Sequence, residues 1–171
     1  MCFRLYLASP LTLSEVRSML PEGAAADLAP PLIRDPLLEH HLIARTVVEL
    51  RRGSCACDLL DLGGSAKDQE RELRRRYRTL GATRDQTISA LEQHRRPRHR
   101  LAQPVAWPEL LAGFVAEHAR NAGPALYLLQ FAARHPARLP RPLVDSRVTA
   151  ARVRADPRDW LVLDQATLVE P

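Results

Sequence analysis

The chain has 171 residues, 46% of them hydrophobic, and its formal net charge is +5. This length suffices for one domain with its own core, and the hydrophobic fraction excludes wholesale disorder. No apolar run reaches the roughly 18 residues that a membrane-spanning helix needs. The N-terminus lacks the layout of a secretory signal, because Pro10 interrupts the short apolar run that starts at Leu5. We therefore expect a cytoplasmic protein without membrane contact, whose thiols stay reduced.

The positive charge comes almost entirely from arginine, since Lys67 is the single lysine among 25 basic residues. An excess of basic residues favours a nucleic acid or an acidic protein as partner. An arginine excess is also typical of a GC-rich bacterial genome, whose codon bias raises arginine whatever the function. The composition leaves both explanations open.

The first half of the chain predicts strands and one short helix. Residues 3–8 alternate as a strand does, and Thr12 or Ser14 can cap a helix that ends before Pro21. Residues 24–36 contain three prolines and are predicted to cross the surface irregularly. Residues 46–50 are rich in β-branched side chains and predict a strand, with residues 55–62 returning beside it as a hairpin.

The second half predicts three helices and three strands. Helices are expected to start near residue 65, at Thr83 and at Trp107, from their capping residues or first-turn proline. Residues 125–131 form an apolar run typical of a central strand, and residues 143–155 and 160–169 predict two more. The sequence therefore predicts an α+β fold: one domain over residues 1–171, with a mainly antiparallel or mixed sheet and three to four helices.

The three cysteines form the clearest candidate chemical site. Cys55 and Cys57 are separated by one residue, so in a strand their side chains project from the same face. Their Cα atoms would then lie roughly 6.5 Å apart, a spacing that suits two thiolates bound to one zinc ion. Cys2 precedes the first strand and could supply a third sulfur if that strand pairs near the hairpin. His40 and His41 are candidates for the fourth ligand of a structural zinc site.

Other roles for the cysteines stay open. All three could be small buried hydrophobic residues. A strained Cys55–Cys57 disulfide would suit redox exchange. Cys2 could be an N-terminal nucleophile with its own α-amine as base, although the sequence shows no obvious oxyanion-stabilising loop. The chain lacks the phosphate-loop, dinucleotide-binding, zinc-protease and serine-hydrolase motifs, so we predict no catalytic residue and favour a protein that is not an enzyme.

A basic run at residues 94–100 is the second candidate site, for nucleic-acid phosphates. Its arginines are Arg95, Arg96, Arg98 and Arg100. Such residues neutralise phosphates, but no aromatic residue interleaves with them to stack on bases, and a solvated linker explains the run as well. On the predicted helix that starts near residue 65, glutamates stand four residues before Arg74 and Arg76, which predicts ion pairs on an exposed face. His118 continues an apolar helical face and is predicted to be a half-buried packing residue.

Two short segments resemble a group of small bacterial proteins without an assigned activity. These segments are the opening run from Met1-Cys2-Phe3 to Pro10 and the element Gly53-Ser54-Cys55-Ala56-Cys57. The proteins of that group similarly start Met-Cys-aromatic and carry Gly-x-Cys-x-Cys after a strand. They often have glycine between the two cysteines, where this chain has Ala56. The resemblance implies no reaction, but it implies that the three cysteines act as one set.

Overall fold

The computed structural model describes residues 2–53, 56, 59, 66–79, 82–95, 106–132 and 145–171. Within these ranges the chain forms six strands and six helices, which confirms the α+β prediction and exceeds the three to four helices expected. In chain order they are β1 (Cys2–Ser9), α1 (Leu13–Met19), β2 (Ala24–Leu28), α2 (Pro31–His40), β3 (Thr46–Arg52), α3 (Ala66–Thr79), α4 (Arg84–Arg95), α5 (Trp107–Ala122), β4 (Ala125–Ala132), β5 (Asp145–Thr149), α6 (Ala150–Ala155) and β6 (Ala166–Glu170).

The chain divides into two units, residues 1–60 with 105–171 and residues 61–104. The first unit holds the sheet, whose strand order is β2-β3-β1-β4-β6-β5. β1 lies in the interior and pairs antiparallel with both neighbours, so that Leu5 stands opposite Leu50 of β3 and Leu129 of β4. β5 and β6 are the parallel pair in this otherwise antiparallel sheet.

Helices cover both faces of the sheet. Tyr6 and Ala8 of β1 join a buried cluster with Ile33 and Leu37 of α2. Ser9 is the next residue after Ala8, and its side chain bonds to α5. Successive side chains of a strand point to opposite faces, so α2 and α5 lie on opposite sides of β1. This arrangement explains why β1 is apolar at nearly every position.

The prediction of an irregular crossing at residues 24–36 is wrong, because this segment forms β2 and the start of α2. Pro31 takes the first turn of α2, where a backbone N–H has no helical partner in any case. Pro36 lies inside the helix and removes a hydrogen bond there. The complete burial of Ile33 and Leu37 offsets the cost of this lost hydrogen bond. The number of prolines in the segment does not reveal that burial.

The predicted strand at residues 143–155 is half wrong. β5 ends at Thr149, whose side chain accepts a hydrogen bond from the amide of Arg152 and caps α6. Residues 160–165 make an isolated bridge between Leu163 and Leu129, and β6 begins at Ala166. Because α6 carries the chain back to the starting end, β5 and β6 are parallel and do not form a simple hairpin.

The second unit contains α3 and α4. Leu73 and Tyr77 of α3 and Leu91 of α4 are buried, whereas Ile88 of α4 is 37% exposed. Thr83 and Gln86 form the reciprocal cap predicted for α4, since each backbone amide donates to the side chain of the other residue.

Candidate functional site

A hydrogen bond joins the N-terminal end of β1 to Ala56, the residue between Cys55 and Cys57. β3 ends at Arg52, and Gly53 has a φ of 75°, a left-handed conformation that ends the extended ladder. The amide of Ala56 donates to the carbonyl of Phe3 over 2.9 Å, and Ala56 is buried. The amide of Leu59 donates to the carbonyl of Ala56 over 3.1 Å. At the two described residues of 55–62 the chain therefore makes a turn, where a returning strand was predicted.

The side chains of Cys2, Cys55 and Cys57 lie outside the described part of the chain. Their assignment as zinc ligands stays a prediction. Phe3 follows Cys2 directly, so the contact between Phe3 and Ala56 links the backbone next to all three cysteines. Among the residues that the structure describes, no three His, Cys, Asp or Glu side chains form a group able to hold a metal ion.

The two candidate histidine ligands lie at the other end of β1. His40 ends α2, and His41 Nε2 lies 3.4 Å from the carbonyl oxygen of Pro124. Because Ala8 pairs with Leu126, Pro124 lies at the Ser9 end of the sheet. Ser9 is roughly 20 Å from Phe3 along an extended strand. The structure therefore does not bring His41 to the end of β1 where Cys2 lies.

The basic run falls mostly outside the described residues. Arg95 is the last residue of α4, and Arg96, Arg98 and Arg100 belong to the part of the chain that is not described. On α3, Arg74 pairs with Glu70 as predicted, with a nitrogen–oxygen distance of 2.9 Å. Glu72 pairs with Arg75 over 2.8 Å, and the side chain of Arg76, its predicted partner, lies outside the described residues. Arg74 and Arg75 are exposed, as predicted, and their charges are compensated within the helix, which weakens the case for α3 as a phosphate-binding surface.

A buried pair that the sequence analysis missed joins β1 to α5. Ser9 Oγ and His118 Nε2 are 2.8 Å apart, and neither residue is exposed. The backbone amide of Leu11 also donates to Ser9 Oγ over 2.9 Å. The prediction of a half-buried His118 underestimated its burial. The available signals were that Ser9 continues the alternation of Phe3, Leu5 and Leu7 and that His118 lies on the apolar stripe of α5, but no local rule connects the two.

The surroundings of His118 favour a neutral ring. Burial lowers the pKa of His118 from 6.5 to about 4, and the ring of Phe114 lies 5.7 Å away, centroid to centroid. A serine beside a neutral imidazole has the donor and acceptor of a nucleophile–base pair. Both side chains are fully buried, however, and Nδ1 has no hydrogen-bond partner among the described residues to orient the ring. We therefore interpret the pair as a contact that holds α5 on the sheet.

A second polar cluster lies on the opposite face of β1. Arg4 donates to Glu49 of β3 over 2.8 Å, and Tyr6 stands directly opposite Glu49. The pKa of Tyr6 is raised to about 12, mainly by burial and secondly by the negative charge of Glu49. The positive charge of Arg4 lowers the pKa of Tyr6 and partly opposes this rise. The Arg4–Glu49 pair is only half-buried, so it contributes little net stability.

Comparison with protein-family models, curated proteins and solved structures found no match to this chain. Over the described residues, no helix has both the length and the apolar character that crossing a membrane requires.

Proposed function

We propose that Cys2, Cys55 and Cys57 bind one zinc ion in a cytoplasmic protein and that this ion stabilises the fold without taking part in a reaction. The observation that supports this proposal is the hydrogen bond between the amide of Ala56 and the carbonyl of Phe3. It connects two segments that are far apart in the sequence, and each of them carries cysteine.

Each cysteine is the sequence neighbour of a residue in this hydrogen bond. Because adjacent Cα atoms are about 3.8 Å apart, the backbone of each cysteine is close to the contact. Thiolates bind zinc at about 2.3 Å and, in a reducing compartment, are more often metal ligands than bridges. A zinc ion at this position would tie the start of β1 to the chain that leaves β3, which is a structural role.

The fourth ligand is part of the same question. His40 and His41 were predicted for it, but His41 lies at the Ser9 end of β1. We therefore propose a site of three thiolates whose fourth position is taken by another group, and we use His41 as a control residue.

Elemental analysis of the purified, untagged chain tests the proposal directly. We expect about one zinc per chain in the wild type, and strong loss of zinc in Cys2→Ser, Cys55→Ser and Cys57→Ser. The same three variants should melt at lower temperature, and zinc removal by a chelator should lower the melting temperature of the wild type. His41→Gln is the matched control and should keep its zinc.

Two outcomes would contradict the proposal. A wild-type chain that contains no metal, has three reactive thiols and melts independently of chelator has no structural zinc site. Loss of zinc in His41→Gln, with the cysteine variants still loaded, would place the metal at the other end of β1. If one thiol of the metal-free chain reacts unusually fast near neutral pH, the cysteine-dependent enzyme becomes the better hypothesis.

A further inference from the structure

The attachment of α5 to the sheet contains one titratable group. Nine of the 16 residues of α5 are buried, and His118 is the only one of the nine that can change its charge near neutral pH. The other eight are apolar, so their contacts do not depend on pH. His118 reaches Ser9 of β1, in the interior of the sheet, with Nε2 2.8 Å from Ser9 Oγ.

The hydrogen bonds of this pair suit a neutral ring and not a charged one. Ser9 Oγ already accepts a hydrogen bond from the backbone amide of Leu11. It can either donate a hydrogen bond to Nε2 of His118 or accept one from it. A neutral imidazole satisfies this contact in either tautomer. A protonated ring carries N–H donors at both nitrogens, and Nδ1 has no acceptor among the described residues. The second proton would therefore add a buried charge without a partner.

In the part of the chain that the structure describes, the charged side chains on the elements around α5 have other partners or are exposed. On α1, the carboxylate of Glu15 bonds to Thr12, and Arg17 bonds to Asp27. On α6, Arg152 bonds to Asp156 and Arg154 is exposed, and on β6 Glu170 pairs with Arg147.

The other charged groups near the pair are also exposed or paired. The amide of Arg45 donates to the carbonyl of Ser9, but the side chain of Arg45 is exposed. The pKa of Glu15 is lowered by its hydrogen bonds to Thr12 and also by the charge of Arg45. On α5 itself, Glu117 and Arg120 are exposed, and Glu109 pairs with Arg158.

We propose that the Ser9–His118 contact is an acid-sensitive lock, which stabilises the docking of α5 on the sheet while the imidazole is neutral and favours its opening when the ring takes up a second proton. The lock responds to protonation of the His118 ring. In one state α5 is packed on β1, and in the other α5 has opened away from β1. The lock is independent of the zinc site, because Ser9 and Cys2 are at opposite ends of β1.

The pH window follows from the two states. The pKa of His118 is about 4 when buried and near 6.5 when the ring is exposed. The open state therefore binds more protons between these values, so docking is at full strength above pH 6.5 and weakens as the pH falls toward 4. From pH 7 to pH 4 the equilibrium constant for opening should rise on the order of 100-fold through this group alone.

The test compares the full-length wild type with His118→Gln between pH 7 and pH 4. Glutamine can still donate an amide N–H to Ser9 but cannot titrate. We expect urea unfolding and amide exchange of α5, corrected for intrinsic rates, to show an acid dependence that is about 100-fold larger in the wild type than in His118→Gln. His40→Gln, which changes an exposed histidine, should keep the dependence of the wild type.

Equal acid dependence in the wild type and in folded His118→Gln would overturn the lock. If His118→Gln does not fold, the ring of the wild type is titrated by NMR. Nitrogen shifts that stay those of a neutral ring down to pH 5 support the lock, and titration near pH 6.5 in an intact fold overturns it.

Discussion

The amide of Ala56 donates a hydrogen bond to the carbonyl of Phe3, which joins the chain after β3 to the start of β1. The register of β1 and β3 does not require this contact, because the described ladder pairs Leu5 with Leu50 and ends before Phe3. Gly53 has a left-handed conformation, and three residues later the amide of Ala56 meets the sheet at Phe3.

Ala56→Pro should weaken binding at the proposed zinc site at least tenfold and lower stability by about 1–2 kcal/mol, because proline cannot donate the hydrogen bond to Phe3. Ala56→Gly keeps the N–H and is the matched control, so its zinc affinity should stay close to that of the wild type. Competition with a zinc chelator measures the affinity, and urea unfolding measures the stability. Equal zinc affinity in the proline variant and the wild type would separate the metal site from this hydrogen bond.

Gly53→Ala should destabilise the protein by about 1 kcal/mol, because a side chain is strained at a φ of 75° even where there is space around it. Gly113→Ala, a substitution within α5, should have the opposite effect on stability. Nothing lies within 4 Å of the added Cβ at Gly113, so alanine should gain about 0.5–1 kcal/mol through its higher helix propensity. Urea unfolding of both variants checks the pair, and a stabilised Gly53→Ala would show that this turn adopts another conformation.

Ser9→Ala should cost about 1–3 kcal/mol at neutral pH, because both the amide of Leu11 and the ring of His118 lose their partner in a buried place. The matched control is Ser18→Ala. Ser18 Oγ donates to the carbonyl of Glu15 on the exposed side of α1, so its loss should change stability by less than about 0.5 kcal/mol. Equal effects of the two substitutions would mean that the Ser9 contact contributes nothing beyond an exposed hydrogen bond.

Tyr127→Phe should leave stability unchanged or raise it by about 1 kcal/mol, because a buried hydroxyl without a partner costs desolvation. Tyr127 is completely buried against Trp160, its hydroxyl has no hydrogen-bond partner among the described residues, and burial raises its pKa far above the ordinary value. Thermal unfolding with and without the hydroxyl decides the question. A loss above about 1 kcal/mol would reveal a partner for this group.

The elements that the sequence determined by itself are those with a strong local signal. The alternation at residues 3–8, the β-branched run from Thr46, and the proline and glycine at the two ends of α5 predict β1, β3 and α5 closely. Side-chain periodicity and capping act within a few residues, so one segment contains the information that its element needs.

Tertiary contacts alone decided the remaining features. α2 forms despite Pro36 because Ile33 and Leu37 are buried on the sheet, and residues 150–155 leave the strand path because Thr149 caps a helix. The cysteines could be named from the sequence, but the contact between Phe3 and Ala56 could not. The Ser9–His118 bond likewise joins residues that are distant in the chain. Such pairs form only when particular helices pack against particular strands. The burial of whole helix and sheet faces determines that packing, and the order of neighbouring residues does not.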